Sequence, residues 1–279
     1  MVDLISKDAQ IGKNVKIKHN VVIEDGVIIG DNVEIGYNSI IKQNVQLGSN
    51  SYIGDNVILG EYIGRYYKNA DDKQKLGYLL DPENYVNPVT KIGNSAVVRS
   101  GTVVYANCDI GEKFETCSSV IIRDGCKIGR NNYFGNHTEL WGNLTIGNHN
   151  RFVSAVRIGD TSEIGDYTWW FPYSGGATDL HPPCGKCLKG PTVGDFVLVG
   201  SVGVLLPRVK VGKNSIIGAC TLVTHDIPEG VLAMGNPARI IKKVRDITCP
   251  LGIVAPEDGP YPWFQFMPED RKKRYGFLD

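Results

Sequence analysis

Residues Ile92 to Trp170 read IGNSAVVRSGTVVYANCDIGEKFETCSSVIIRDGCKIGRNNYFGNHTELWGNLTIGNHNRFVSAVRIGDTSEIGDYTWW. Counting in sixes from Ile92 gives Val98, Val104, Ile110, Thr116, Ile122, Ile128, Phe134, Leu140, Ile146, Phe152, Ile158, Ile164 and Trp170, so thirteen of fourteen positions are apolar. Neither an α-helix nor an ordinary strand repeats in sixes. A coil of three short parallel strands does, with six residues per face, 18 per turn and one apolar side chain per face pointing inward. Successive coils then stack at the strand spacing of about 4.8 Å. Such a solenoid buries its core only by stacking, so it needs many repeats.

The rest of the chain supplies them. Ile5, Ile11, Ile17, Ile23, Ile29, Ile35, Ile41, Leu47, Ile53 and Leu59 form an N-terminal run in a second register, and Val193, Val199, Leu205, Val211, Ile217 and Val223 form a C-terminal one. Together the three runs make thirty hexads, about ten coils. The expected fold is all-β, a parallel β-helix with a corner insertion, a short C-terminal helix and a tail. Within the N-terminal hexads, such as IGKNVK and IGDNVE, Asn recurs at the fourth place as Asn14, Asn20, Asn32, Asn38, Asn44, Asn50 and Asn56. The chain must turn by about 120° every six residues, and Asn and Gly tolerate the left-handed backbone such corners need. These asparagines are read as corner residues, not ligands.

Composition narrows the function. Thirty basic residues balance thirty acidic ones with no basic block, which argues against nucleic acid and membrane surfaces as partners. The opening MVDLISKDAQ enters the repeat directly, so no signal peptide is expected, and no apolar run approaches membrane-spanning length. Seven cysteines form no even disulfide framework, so reduced thiols and a cytoplasmic location are expected. Cys108 and Cys126, 18 residues apart, should stack as small interior side chains.

Two stretches break the count. From Leu59 to Ile92 is 33 residues where a hexad needs six, so about 27 must leave at a corner. This insertion, 65–91, carries Arg65 and Tyr66 with Tyr67, Lys68, Tyr78 and Tyr85, a set suited to phosphate and a ring. The second insertion is 172–192, with Gly175 and Gly176 at its exit, His181, and a lone Cys184/Cys187 pair too small for a structural zinc site. No metal is expected. Trp169, beside the inward Trp170, should point outward.

In FGNHTELWGN, His137 and Glu139 take corner and outward places, and Asp160 lies one coil on and round a corner. Gathered along one groove, these three could orient an amine and accept its proton, with Asn136 beside them. Equally, Glu139 could simply pair with Arg157 or Arg151. A zinc hydratase would need three converging histidines, whereas His137 and His149 fall on different faces.

From Val193 the chain reads VGDFVLVGSVGVLLPRVKVGKNSIIGACTLVTHDIPEGVLAMGNPARIIKKV. Joined to the hexads, this resembles the closing section of the left-handed β-helix acyltransferases, in which the strands end in a GNPAR-type turn and a basic helix. The resemblance covers 1–245, taken as the acyltransferase domain, with 246–279 as a tail packing on the helix or a neighbouring subunit. His225 stands where such proteins often have Lys. The resemblance implies the left-handed twist, acetyl-CoA as acyl donor and a homotrimer with coenzyme A between subunits. Gly200, Ser201, Gly218 and Ala219 would then offer backbone amides to the pantetheine arm and the oxyanion. Arg208, Lys213, Arg239 and Lys242 would meet its phosphates. The chain also looks like the branch that N-acylates nucleotide-linked amino sugars, especially dTDP-linked 3-amino or 4-amino deoxyhexoses. In that branch acidic side chains hold the amine and the departing thiolate can take the proton. Acceptor contacts would fall to Asn136, Arg65, Tyr66, Trp169 and His181, and His137, then His181, would be the candidate base. The alternatives are another small-molecule O- or N-acetyltransferase, or a non-catalytic scaffold.

Overall fold

A computed structural model describes residues 4–62, 87–181, 186–247 and 268–274, which fall into two compact units, Met1–Lys127 and Ile128–Asp279. Both are built of two- to five-residue strands, and the fold is an all-β parallel solenoid consistent with a left-handed β-helix.

In the first unit each strand from Leu4 to Ile41 pairs in parallel with the one 18 residues on, as in Leu4↔Val22, Gln10↔Ile28 and Lys16↔Glu34. The aliphatic of every hexad points inward, and Ile23, Ile35, Ile41, Ile53 and Leu59 are fully buried. Ile5 and Ile11 are exposed because the first coil is stacked on one side alone among the described residues. The seven corner asparagines hold φ of 55–61°. They also hydrogen-bond in a ladder from coil to coil, Asn14 Nδ2 to Asn32 Oδ1 and Asn32 Nδ2 to Asn50 Oδ1, each 3.1 Å.

The insertion leaves as counted. Leu47 pairs with Ile92 and Leu59 with Val104, each 45 residues on, 27 more than a regular coil. The chain returns at Asn87, whose Nδ2 donates to the Gly60 carbonyl at 2.7 Å. Residues 63–86 lie outside the described set, and the expected contacts of Arg65 and Tyr66 lie there with them. Thr116, the non-apolar hexad position, is buried with its hydroxyl 3.2 Å from that of Thr102. Cys108 and Cys126 are buried as expected, both thiols directed at the Arg123 carbonyl, at 3.3 and 2.9 Å.

In the second unit the interior is aromatic where it was aliphatic before. Phe134, Phe152 and Trp170 stack in register with centroids 4.9 and 6.0 Å apart, and the Trp170 indole donates to Thr168 Oγ1 at 3.0 Å.

Two expectations need correction here. The register does not break after Trp170: Arg157 and Ile158 pair with Gly175 and Gly176, so the coil runs one hexad past Trp170, to Gly176, and the excursion does not begin at 172. Gly176 takes the inward place, and a β-carbon there would stand 2.7 Å from Pro191 Cγ, so the proline ring occupies that space. The excursion follows Gly176 and returns at Thr192, since Ile164 pairs with Val193, 29 residues on, 11 more than a regular coil.

The basic segment after GNPAR is not a helix either. Arg239–Lys243 is an exposed strand, antiparallel to Val231–Met234. Its two β-branched isoleucines suit a strand, and pairing lets it close the last coil. The short helix comes later, at Glu269–Arg274. No helix of the described residues is long and apolar enough to cross a membrane.

Candidate functional site

One corner of the second unit carries most of the candidate residues. It follows the strands ending at Phe134, Phe152, Trp170, Val199 and Ile217, and comprises Gly135–His137, Val153–Ala155, Phe171–Tyr173, Gly200–Val202 and Gly218–Cys220. The third residue of each triplet has φ of 55–61°.

The backbone N–H groups divide by position. The first residue of each triplet donates to the next coil: Gly200 to the Ile217 carbonyl at 2.8 Å and Gly218 to the Ala233 carbonyl at 2.9 Å. The expectation that these two glycines present free amides is therefore wrong. In a stacked parallel coil, a strand's amides are consumed by the neighbouring coil. The third residue donates to the coil before, as Val202 to Pro172 and Cys220 to Ser201.

The second residue differs. Its N–H can be met only by a side chain one coil on. At another corner of this unit Asn148, Asp166 and Asp195 do that, accepting from Arg130, Asn148 and Asp166 at 2.9, 2.6 and 2.7 Å. Above Ser154, Ser201 and Ala219 stand Pro172, Ala219 and Gly235, none of which has an acceptor. The N–H groups of Ser154, Ser201 and Ala219 thus have no partner among the described residues, and each lies at a half-buried or exposed place. Arg239 stands near: it pairs with Met234, whose side chain covers Gly218. Lys242 lies on the same strand, whereas Arg208 and Lys213 are exposed at other corners, Arg208 Nη2 donating to the Cys187 carbonyl at 3.5 Å and Lys213 lying 3.8 Å from Glu229.

The three groups expected to converge are spread across one face. His137 and Asn136 are exposed at the corner just described. Glu139 is on the strand that follows, half-buried, its Oε1 3.2 Å from Arg157 Nη2. Asp160 stands at the corner beyond that strand, where its carbonyl accepts from Thr178 Oγ1 at 3.0 Å. His137 and Asp160 are thus separated by a face of roughly 15 Å. Asp160 instead neighbours the segment leading to His181, which is exposed and whose N–H donates to Asp179 Oδ1 at 2.9 Å. Trp169 points outward as expected and stacks with Phe171, centroids 6.2 Å apart.

A groove of about 550 Å³ lies on this face, with Arg157, Tyr173, Gly175, Gly176 and Val204 along it. The outward places of the stacked strands are Glu139, Arg157, Gly175, Val204 and Leu222, and Gly175 leaves the gap. Arg157 and Tyr173 are strongly exposed, at 69% and 70%. Reading 172–192 as loop hid this groove. The available signal was that the count of six from Trp170 lands on Gly176, which puts Gly175 at an outward place. Among the described residues no cluster of three or more His, Cys, Asp or Glu is arranged to hold a metal.

Residues 8–43 match the bacterial transferase hexapeptide (six repeats) family. The chain is similar to a galactoside O-acetyltransferase of Lactococcus lactis, 35% identical over 126 residues that make up 42% of this chain and 56% of the relative. It is also similar to a 2,3,4,5-tetrahydropyridine-2,6-dicarboxylate N-acetyltransferase of Clostridium perfringens, 43% identical over 70 residues, 25% of this chain and 28% of the relative. Among solved structures it aligns with LpxA, a UDP-N-acetylglucosamine acyltransferase from Bacteroides fragilis, at TM-score 0.44 and 17% identity, over 86% of this chain and 72% of that one. The chain spans less than two thirds of the length of the curated relatives it matches.

Proposed function

From the premise that this chain is a β-helix of the transferase hexapeptide type, we propose that it is an acetyl-CoA-dependent acetyltransferase acting on the amine of a nucleotide-linked amino-deoxy sugar, such as a dTDP-3-amino- or dTDP-4-amino-dideoxyhexose. It works as a cytoplasmic homotrimer. The observation that carries this reading is the pair of open amides at Ser201 and Ala219, one coil apart on a single corner. Thioester acyl transfer develops negative charge on the carbonyl oxygen as the acceptor nitrogen bonds to its carbon, and fixed N–H donors stabilise that charge. The C–S bond then breaks, and the thiolate of coenzyme A leaves and can take the amine's proton. Arg239 beside the corner supplies a cation for the donor's phosphates, with Arg208, Lys213 and Lys242 as more distant ones. The acetyltransferase names of the relatives support acetyl as the group carried.

His137 lies on the same corner, one coil from the open amide of Ser154 and three coils, about 14 Å, from that of Ser201, and is the first candidate base. His181, at the opposite corner near Asp160, is the second. The similarity to a galactoside O-acetyltransferase favours one further reading, a sugar hydroxyl as acceptor. A hydroxyl needs a side-chain base more than an amine does, because its proton is far less acidic than that of an ammonium.

Thiol release from acetyl-CoA tests both readings against a panel of dTDP- and UDP-linked amino sugars and neutral galactosides. Release with amino sugars alone supports the amine. Loss of about 10²-fold in kcat for His137→Ala or His181→Ala identifies the base, and full turnover in both leaves proton removal to the thiolate. No release with any acceptor overturns the acetyltransferase reading.

A further inference from the structure

We propose that the groove over Gly175 is a subsite for a phosphorylated ring, a sugar phosphate or a nucleotide, with Arg157 reading the phosphate and Tyr173 flanking the ring. The proposal deepens the acetyltransferase reading and rests on it, because it says which end of the acceptor this face holds.

The shape comes first. Arg157 and Val204 belong to strands two spacings apart, about 9.6 Å, and the strand between them presents Gly175. That width admits one ring, and the groove's volume of about 550 Å³ falls within the usual small-molecule range of roughly 300–1,000 Å³. The glycine is dictated by the coil, since a β-carbon on Gly175 would stand 2.4 Å from the Arg157 carbonyl oxygen. The gap is therefore a permanent feature and needs no side chain to move aside.

Charge comes second. Among the described residues the Arg157 guanidinium is the cation lining the groove, and Glu139 holds it by one nitrogen at 3.2 Å. That contact fixes the side chain while leaving further N–H donors facing solvent, and a guanidinium presents paired donors that match phosphate. Glu139 is on this view a positioning residue for Arg157, not the group that holds an amine.

Place comes third. Tyr173 and Ala155 form the groove's end at the corner that carries the open amides, and Val202, whose N–H donates to the Pro172 carbonyl, links Ser201 to the coil just beside Tyr173. A ring seated over Gly175 with its phosphate on Arg157 would direct its other end toward that corner.

Binding of uridine 5′-diphosphate and glucose 1-phosphate to the full chain, measured by calorimetry against neutral uridine and glucose, tests the subsite. Acetyl-CoA binding is measured in parallel. Both phosphorylated probes should bind and the neutral ones should not. Arg157→Met should weaken both at least tenfold. Val204→Trp, which fills the groove from the opposite wall and suits a strand, should do the same. Acetyl-CoA affinity should stay within twofold in both variants, which also reports that they are folded. Glu139→Gln should weaken the phosphorylated probes less than Arg157→Met does. If neither phosphorylated probe binds, or if both bind equally well to Arg157→Met and Val204→Trp, the subsite is overturned. Absence of acetyl-CoA binding beside intact, Arg157-dependent phosphate binding would overturn the acetyltransferase reading and leave the subsite standing.

Discussion

Tyr167 adopts φ of 57°, a conformation that costs a bulky residue energy, at a corner position where the N-terminal coils use Asn. Its ring lies between those of His149 and Phe196, with centroids 4.6 and 4.9 Å away and planes within 5° of parallel. Two stacked contacts, each about 0.5–1.5 kcal/mol, offset the backbone cost. Tyr167→Asn relaxes the backbone but removes both stacks, so it should destabilise the protein by about 1–2 kcal/mol in denaturant unfolding. A neutral or stabilising result would mean the corner is governed by φ alone. The asparagine corners were legible in the sequence because φ preference and spacing agree there. The corner of His149, Tyr167 and Phe196 was not, because what holds it is contact between residues 18 and 29 apart. The open amides of Ser201 and Ala219 were hidden for a related reason. Whether an amide is free depends on the residue one coil above it, and the stacking that places Ala219 over Ser201 also consumes the amides of Gly200 and Gly218.

The excursion between Gly176 and Thr192 is tied back to the coil by Lys189, whose ammonium lies 2.5 Å from Glu163 Oε1. The hydrogen bond from Lys189, with its charge, holds the Glu163 carboxyl below its ordinary value of 4.5. A carboxylate whose folded-state pKa is depressed adds stability above its unfolded value, and that stability is lost as pH falls through the folded value. Glu163 is half exposed at 54%, so solvent screens the pair and its worth is at most about 1 kcal/mol. Glu163→Gln should therefore lower stability slightly at pH 7, and the gap to the parent should narrow as pH falls below the ordinary value of 4.5 and close once it passes the depressed folded value. A gap that persists in acid would place the effect in packing instead. The excursion's length and its return were partly legible, but its start was misplaced by one hexad because only apolar residues were counted as inward, and Gly176 is inward with Pro191 occupying the space. The strand Arg239–Lys243 was misjudged because its basic residues suit a helix end equally well. Its antiparallel pairing with Val231–Met234 is a long-range fact.

The period of six was enough to identify the solenoid because every coil repeats the same demand, one apolar side chain inward per face. The proposed acceptor subsite follows from no such repetition, since it is argued from the few places where the repeat lapses, Gly175 among them. The same lapses leave the second unit with Trp141, Phe171, Tyr173 and Val202 exposed at 46%, 38%, 70% and 50%. Three of these line the corner with the open amides. Single exposed apolar residues are ordinary, but a row of them along one corner marks a surface suited to a partner. The expected homotrimer would cover such a row with a second copy and would close the donor site between subunits, consistent with amides at Ser201 and Ala219 that have no acceptor among the described residues. Light scattering at micromolar concentration should then give three times the mass of one chain. Because association stabilises the folded state by mass action, the melting temperature should rise with protein concentration. Val202→Asp, which puts a charge into that row at an exposed position, should shift the mass toward the single chain. It should also abolish the concentration dependence without unfolding the coils, as far-ultraviolet circular dichroism would report. A single-chain mass in the parent protein, with a melting temperature independent of concentration, would place the whole donor site within one chain and leave Ser201, Ala219 and Arg239 to form it alone.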